Sequence, residues 1–201
     1  YAMGALRSDF ESTYAGAASS AEFHKDEVAR LRRLIELTEQ SSEPVDHEEF
    51  VQLVQTAHSF STFLPPTGAM DSLVGSGDLN ALLEPELRAM LARFQKVLES
   101  MHRTQQWGLV FVNEQLTPFL SKRVPLTVFG FGRGDVREVR YATYSEAEIK
   151  AYADELLASL EFENLLSTRL LAADLLAMKA GLLAEHASRV CEQLGAACID
   201  N

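Results

Sequence analysis

The sequence lacks the features that commit a chain to a membrane or to nucleic acid. No run of about 18 apolar residues is present, which is the length that a helix needs to cross a bilayer. The first residues also lack the basic, apolar and small-residue sections of a signal peptide. Lysine and arginine number 18 against 29 acidic residues, so the net charge is −11. Because such a surface repels phosphate backbones, nucleic acid is not an expected partner.

Cysteine is also scarce. Cys191 and Cys198 are too few for a zinc site, which takes four ligands. On one straight helix they would lie about 10 Å apart along the axis, which is too far for a disulfide. We therefore expect free, partly buried thiols. A disulfide is the alternative, since Gly195 between them could end the helix and let the chain fold back.

Proline-free stretches with apolar residues at spacings of three and four predict three long helices. They cover residues 6–39, 85–117 and 161–194. Pro118 is expected to kink the second helix near its end. Small side chains at 15–21 predict a close approach by a neighbouring backbone there, with a ligand cleft as the alternative.

Capping residues predict the starts of shorter helices. Asp46 is followed by Glu49, and Ser145 by Glu148, which is the spacing of a capping box. Thr67 is placed to cap a further short helix, which the glycines at 75 and 77 would end. The predicted shorter segments are 46–61, 67–75, 78–83 and 145–157.

Residues 124–144 differ from the helical remainder. An apolar run, three glycines and then alternating residues predict a small β-hairpin around 126–141 or an extended flap. With the helices, this gives an all-α fold, an antiparallel bundle of three long helices with shorter ones added. We expect one domain at 5–201, with the insertion at 124–144, and interpret residues 1–4 as an expression scar.

The one pattern that suggests chemistry is Glu99 and His102, which match Glu-x-x-His on a helix. This spacing places a carboxylate and an imidazole on one face, as in di-iron bundles, but those need a second copy and two more glutamates. No second copy is present. The two residues are weak metal candidates, and neither a catalytic residue nor a cofactor is predicted.

Residues 67–83 read TGAMDSLVGSGDLNALL and continue through Pro85-Glu86-Leu87-Arg88 into a long helix. This stretch resembles a group of uncharacterised bacterial proteins related to the DUF6090 type, which have one N-terminal membrane helix followed by a helical domain. The resemblance implies an anchor that precedes Ala5 and a location at the periplasmic face of the inner membrane. A cytoplasmic protein is the alternative.

These observations favour a non-enzymatic, membrane-tethered helical domain with an interaction or sensory role. Bundles of this kind bind a small ligand between their helices, associate with themselves, or bind a protein partner. The alternative is a hydrolase or metal-dependent enzyme whose site is assembled only in three dimensions. The Glu99 and His102 pair would then be its metal candidates.

Overall fold

A computed structural model of the chain describes residues 2–39, 45–76, 84–129 and 144–195. These residues are all-α, and no strand occurs among them. None of their helices is long and apolar enough to cross a membrane. The α-helices are α1 Ala2–Glu39, α2 His47–His58, α3 Gly68–Ser76, α4 Pro85–Phe111, α5 Thr117–Ser121, α6 Glu146–Leu157 and α7 Leu160–Gln193.

Two of the predicted capping residues, Asp46 and Ser145, begin their helices as expected. The Asp46 carboxylate accepts hydrogen bonds from the backbone N–H groups of Glu48 and Glu49, at 2.8 and 3.0 Å. Ser145 and Glu148 form a complete capping box at the start of α6. Each cap satisfies N–H groups that have no partner within the helix. Helix α2 ends at His58 instead of residue 61, because Ser59 is already extended.

The chain divides into two compact units, and each is described by itself. Unit 1 takes residues 1–24, 62–105 and 175–201. Its core includes Phe10 and Phe94, whose ring centroids are 4.7 Å apart in an edge-on arrangement. Aromatic pairs prefer this geometry because the ring edge is positive and the face negative.

Gly16, in the middle of α1, lies where a side chain has no room. A Cβ atom at this position would lie 2.5 Å from Cε2 of Phe63, which is closer than atoms can pack. Gln105 holds the Phe63 backbone by donating to its carbonyl oxygen at 3.2 Å. At Gly16 the close neighbour is therefore an aromatic ring and not the expected helix backbone.

Unit 2 takes residues 25–61 and 106–174. Its core contains two aromatic pairs, Phe50 with Phe129 and Phe119 with Phe162, at 6.3 and 5.8 Å between centroids. Apolar residues of α1, α2, α6 and α7 surround them. The core thus forms where the apolar faces of several helices meet.

The second long helix does not end at Thr117. It widens into a π-helical turn, Val112–Leu116, and continues as α5 to Ser121. The backbone N–H of Thr117 reaches the carbonyl of Val112, and its hydroxyl donates to the same oxygen at 2.7 Å. Because Pro118 has no N–H to donate, the wider turn accommodates it inside the helix.

The hairpin prediction is wrong for residues 126–129, the part of the predicted hairpin that the structure describes. Leu126–Phe129 is a 3-10 turn, with the N–H of Val128 donating to the carbonyl of Pro125 at 2.9 Å. Phe129 is fully buried, and its carbonyl accepts from the Gln55 amide at 2.9 Å. The apolar run therefore supplies core contacts and not a strand. Residues 130–143, which complete the predicted hairpin or flap, lie outside the described residues, as do 78–83.

The expectation of free thiols is also wrong, since Cys191 is disulfide-bonded and fully buried. The separation of about 10 Å applies only to a straight helix. Helix α7 instead ends at Gln193, and Gly195 takes a positive φ of 78°. A positive φ turns the chain at the end of a helix, and glycine adopts it without strain. Cys198 lies outside the described residues.

Candidate functional site

A groove in unit 2 has the size of a small-molecule site. Its volume is about 590 Å³, within the range of about 300 to 1,000 Å³ that such sites occupy. The last turn of α1, the last turns of α6 and the first turn of α7 form its walls. Its apolar lining consists of Leu37, Val45, Leu157, Ala158 and Leu160.

The short connection between α6 and α7 shapes this groove. Helix α6 ends at Leu157, and the Ser159 hydroxyl accepts a hydrogen bond from the N–H of Phe162 at 3.3 Å, which caps α7. Phe162 then points into the core and is fully buried, whereas Leu160 is 69% exposed. An exposed leucine at the edge of a groove offers apolar surface to a ligand.

Three charged side chains line the same groove, Lys150, Asp154 and Glu163. The Lys150 ammonium lies 2.6 Å from the Asp154 carboxylate, one turn along α6. Glu163 is half-buried and forms no ion pair within the described part of the chain. The unpaired charge of the groove is therefore negative.

A second hollow of about 530 Å³ lies between the first turns of α2 and α6. Its apolar lining is limited to Tyr144 and Ile149. Of its acidic side chains, Asp46 is committed to capping α2. It offers a ligand less apolar surface than the first groove does, and we regard the first as the better candidate.

Unit 2 also contains a buried ion pair between Arg169 of α7 and Glu27 of α1. The arginine side chain has no exposed surface and the glutamate has 3%. Arg169 also donates through Nε to the carbonyl of Ala57 at 3.0 Å, and through Nη2 to that of Ser59 at 2.8 Å. A guanidinium thus closes the C-terminal end of α2, where a positive charge is favourable.

This ion pair is energetically demanding. Burial lowers the pKa of Arg169, and attraction to Glu27 opposes that effect. The Phe60 ring lies 5.2 Å from the guanidinium carbon, close enough for a cation–π contact. Among the described atoms, Nη1 of Arg169 has no hydrogen-bond partner. Charges buried at such cost are found both in ion pairs that specify a fold and in functional sites.

A histidine on the same end of α2 contacts the π-helical turn. Nε2 of His58 lies 3.1 Å from the Thr117 hydroxyl, which donates its single proton to the carbonyl of Val112. Nε2 must therefore carry the proton of this hydrogen bond. Burial lowers the pKa of His58, because desolvation disfavours the charged imidazolium.

In unit 1, Lys179 of α7 contacts α4 through two hydrogen bonds. Its ammonium lies 2.5 Å from the Thr104 hydroxyl and 3.1 Å from the carbonyl of Ser100. Burial lowers the pKa of Lys179, and repulsion from Arg103 lowers it further. A lysine and a hydroxyl in contact are the components of a nucleophilic pair. However, Thr104 is only 7% exposed, which limits access for a substrate.

The two metal candidates lie on α4 in unit 1. Glu99 is exposed and His102 is half-buried, with its Nε2 atom buried and without a hydrogen-bond partner in the described structure. Nowhere in the described ranges do three or more histidine, cysteine, aspartate or glutamate side chains come together as a metal site. The two residues would have to bind a metal without a third such ligand from this part of the chain.

The sequence pattern did not predict the pair of Arg169 and Glu27. Spacing was the available signal, since Arg169 follows the buried Leu166 by three residues and precedes the buried Ala173 by four. It therefore lies on the inner face of a helix. A charged residue on such a face requires a partner in the folded chain.

Comparison with known protein families, with characterised proteins and with solved structures gave no match. The resemblance to membrane-anchored helical proteins therefore stays a prediction.

Proposed function

We propose that this chain is a non-enzymatic, membrane-tethered sensory domain that binds a small amphipathic ligand in the groove of unit 2. The observation that supports this most directly is the groove itself, which combines apolar lining with a charged rim. Ligand sites in proteins share this combination, in which apolar surface supplies affinity and a few polar groups fix orientation. The proposal includes the arrangement that the sequence predicts, in which the three long helices pack as one antiparallel bundle.

The exposure of Leu160 supports a binding role. Its side chain is 69% exposed, and removing apolar surface from water contributes about 25 cal/mol per Å². A ligand that covers Leu160 and the neighbouring Leu157 would gain from surface that the fold leaves in water. The membrane setting rests on the sequence resemblance, which implies an anchor before Ala5 and a periplasmic location.

Calorimetric titration tests the proposal, with 1-octanol below its solubility limit and with octanoate and octylammonium below their micellar concentrations. We expect saturable binding of at least one probe, weakened by Leu160→Asp because the charge interrupts the apolar wall. Leu171→Asp is the matched control, since Leu171 is an exposed leucine of the same helix and unit but does not line the groove. If no probe binds saturably, or if both variants weaken binding equally, the groove is not a ligand site.

A second candidate function is a hydrolase, favoured by the contact between Lys179 and Thr104. In the structure the Lys179 ammonium donates to the Thr104 hydroxyl, which donates to the carbonyl of Ser100. In such an enzyme the lysine would first lose its proton and then take that of the hydroxyl, as threonine attacks an acyl carbon and expels the leaving alcohol or phenol; water would then release the acyl group. Hydrolysis of p-nitrophenyl acetate that both Thr104→Val and Lys179→Met abolish would support it. Equal rates in the wild type and both variants would exclude it. The metal version, with Glu99 and His102, requires near-stoichiometric metal in protein purified without chelator.

A further inference from the structure

The charges of the groove bear on which ligands it selects. We infer that it binds molecules with a cationic ammonium head and an apolar body, with the Glu163 carboxylate as counter-ion. This inference rests on the proposed function. It identifies the chemical class of the ligand and one residue that determines specificity.

Glu163 is suited to this role by its position. It lies on α7 three residues after Leu160, so the two side chains are neighbours on one helix face. Both line the groove. An apolar chain lying on Leu160 therefore has a carboxylate within one helical turn of it.

Lys150, the cationic residue of the groove, does not neutralise the charge of Glu163. Lys150 is 2.6 Å from Asp154, so these two charges neutralise each other. Glu163 is half-buried and has no ion-pair partner among the described residues. A ligand ammonium would find an available carboxylate, whereas a ligand carboxylate would meet one of its own sign.

One feature of the groove favours the opposite charge. The first turn of α7 lies in it, and the N-terminus of a helix attracts anions. Two acidic residues, Glu161 and Glu163, already lie in that turn, although Glu161 is paired with Arg123 at 2.9 Å. Ser159 accepts one of the N–H groups of the turn. The positive end of a helix amounts to about half a unit charge, whereas Glu163 carries a full negative charge, so we expect the net preference to be for a cation.

Three probes with the same eight-carbon chain separate charge from apolar contact. Calorimetry at neutral pH and low salt should give the tightest binding for octylammonium, then 1-octanol, then octanoate. Glu163→Gln should weaken the binding of octylammonium about fivefold, the size expected for a partly exposed ion pair. The affinity for 1-octanol should stay unchanged. Glu155→Gln is the matched control, because it removes an exposed glutamate of α6 that does not line the groove.

The outcomes distinguish this inference from the proposed function. Equal binding of the three probes, tighter binding of octanoate, or no effect of Glu163→Gln would overturn the cation preference while ligand binding stands. If none of the probes binds, the proposed function fails as well. An equal loss of octylammonium binding in Glu155→Gln would indicate general attraction to an acidic protein and would also overturn the role of Glu163.

Discussion

Arg169 and Glu27 form a buried ion pair between positions 142 residues apart in the sequence. The arginine also bonds to two carbonyl groups at the end of α2. One side chain therefore joins α7, α1 and the C-terminal end of α2 inside unit 2. Such a pair is costly to desolvate, and removing one member leaves the other buried without the charge that it faces.

Arg169→Met is expected to destabilise the protein by about 3 to 5 kcal/mol, the cost measured when one partner of a buried pair is removed. Glu27 then remains buried without the guanidinium that it faces, and the carbonyls of Ala57 and Ser59 lose their donor. Urea denaturation followed by circular dichroism measures the change in the free energy of unfolding.

The double variant Arg169→Met, Glu27→Leu tests whether the loss comes from leaving the Glu27 carboxylate buried without Arg169. It should recover part of the stability, because an apolar pair of similar volume avoids the desolvation cost. If the double variant is less stable than Arg169→Met alone, the ion pair contributes net stability and this account is wrong.

Replacing a helical glycine by alanine is expected to lower the stability of the protein at two positions and to raise it at a third. A Cβ on Gly108 would lie 2.4 Å from Cε2 of Phe60, and one on Gly16 would lie 2.5 Å from the ring of Phe63. Gly108→Ala and Gly16→Ala should each destabilise by about 1 to 3 kcal/mol, because the ring must move out of its packed position.

Gly181→Ala is the control for these variants. No atom lies within 4 Å of a Cβ placed at Gly181, and the residue is exposed within α7. Here alanine should stabilise by about 0.5 to 1 kcal/mol, since glycine is the poorer helix former. Thermal unfolding of the three variants compares them, and a lower midpoint for Gly181→Ala would contradict the prediction.

The features that the sequence predicts are local ones. The caps at Asp46 and Ser145 were predictable because each acts on N–H groups two or three residues away. The groove and the partner of Arg169 were not, because they depend on which helix faces come together. Glu27 is a helix-face glutamate like many others in this chain until the fold places it against Arg169.

Asp46→Asn should make the stability of the protein depend less on pH in the acid range. Hydrogen bonds from the N–H groups of Glu49 and Glu48 lower the pKa of Asp46 below its ordinary value of 3.8. The stabilisation from this carboxylate is therefore present above pH 3.8 and is lost as the pH falls through the lower folded-state pKa. Asparagine still caps α2 but does not titrate. Unfolding midpoints measured between pH 5 and pH 2 should differ less between wild type and Asp46→Asn at the acid end.

His58 is expected to make stability depend on pH in a higher range. Burial lowers its pKa below the ordinary value of 6.5, so the unfolded chain binds the proton more readily than the folded one. Stability is then complete above pH 6.5 and falls as the pH drops through the folded-state pKa. His58→Gln keeps an N–H that can reach the Thr117 hydroxyl but removes the titration.

The free energy of unfolding, measured by urea denaturation from pH 7.5 to 5, should therefore fall more steeply in wild type than in His58→Gln. Thr117→Val is a useful companion variant. It removes the hydroxyl that His58 contacts while leaving the imidazole buried. Because desolvation is the cause of the shift, the steep wild-type slope should persist in Thr117→Val. Equal slopes in wild type and His58→Gln would show that His58 does not contribute to this pH dependence.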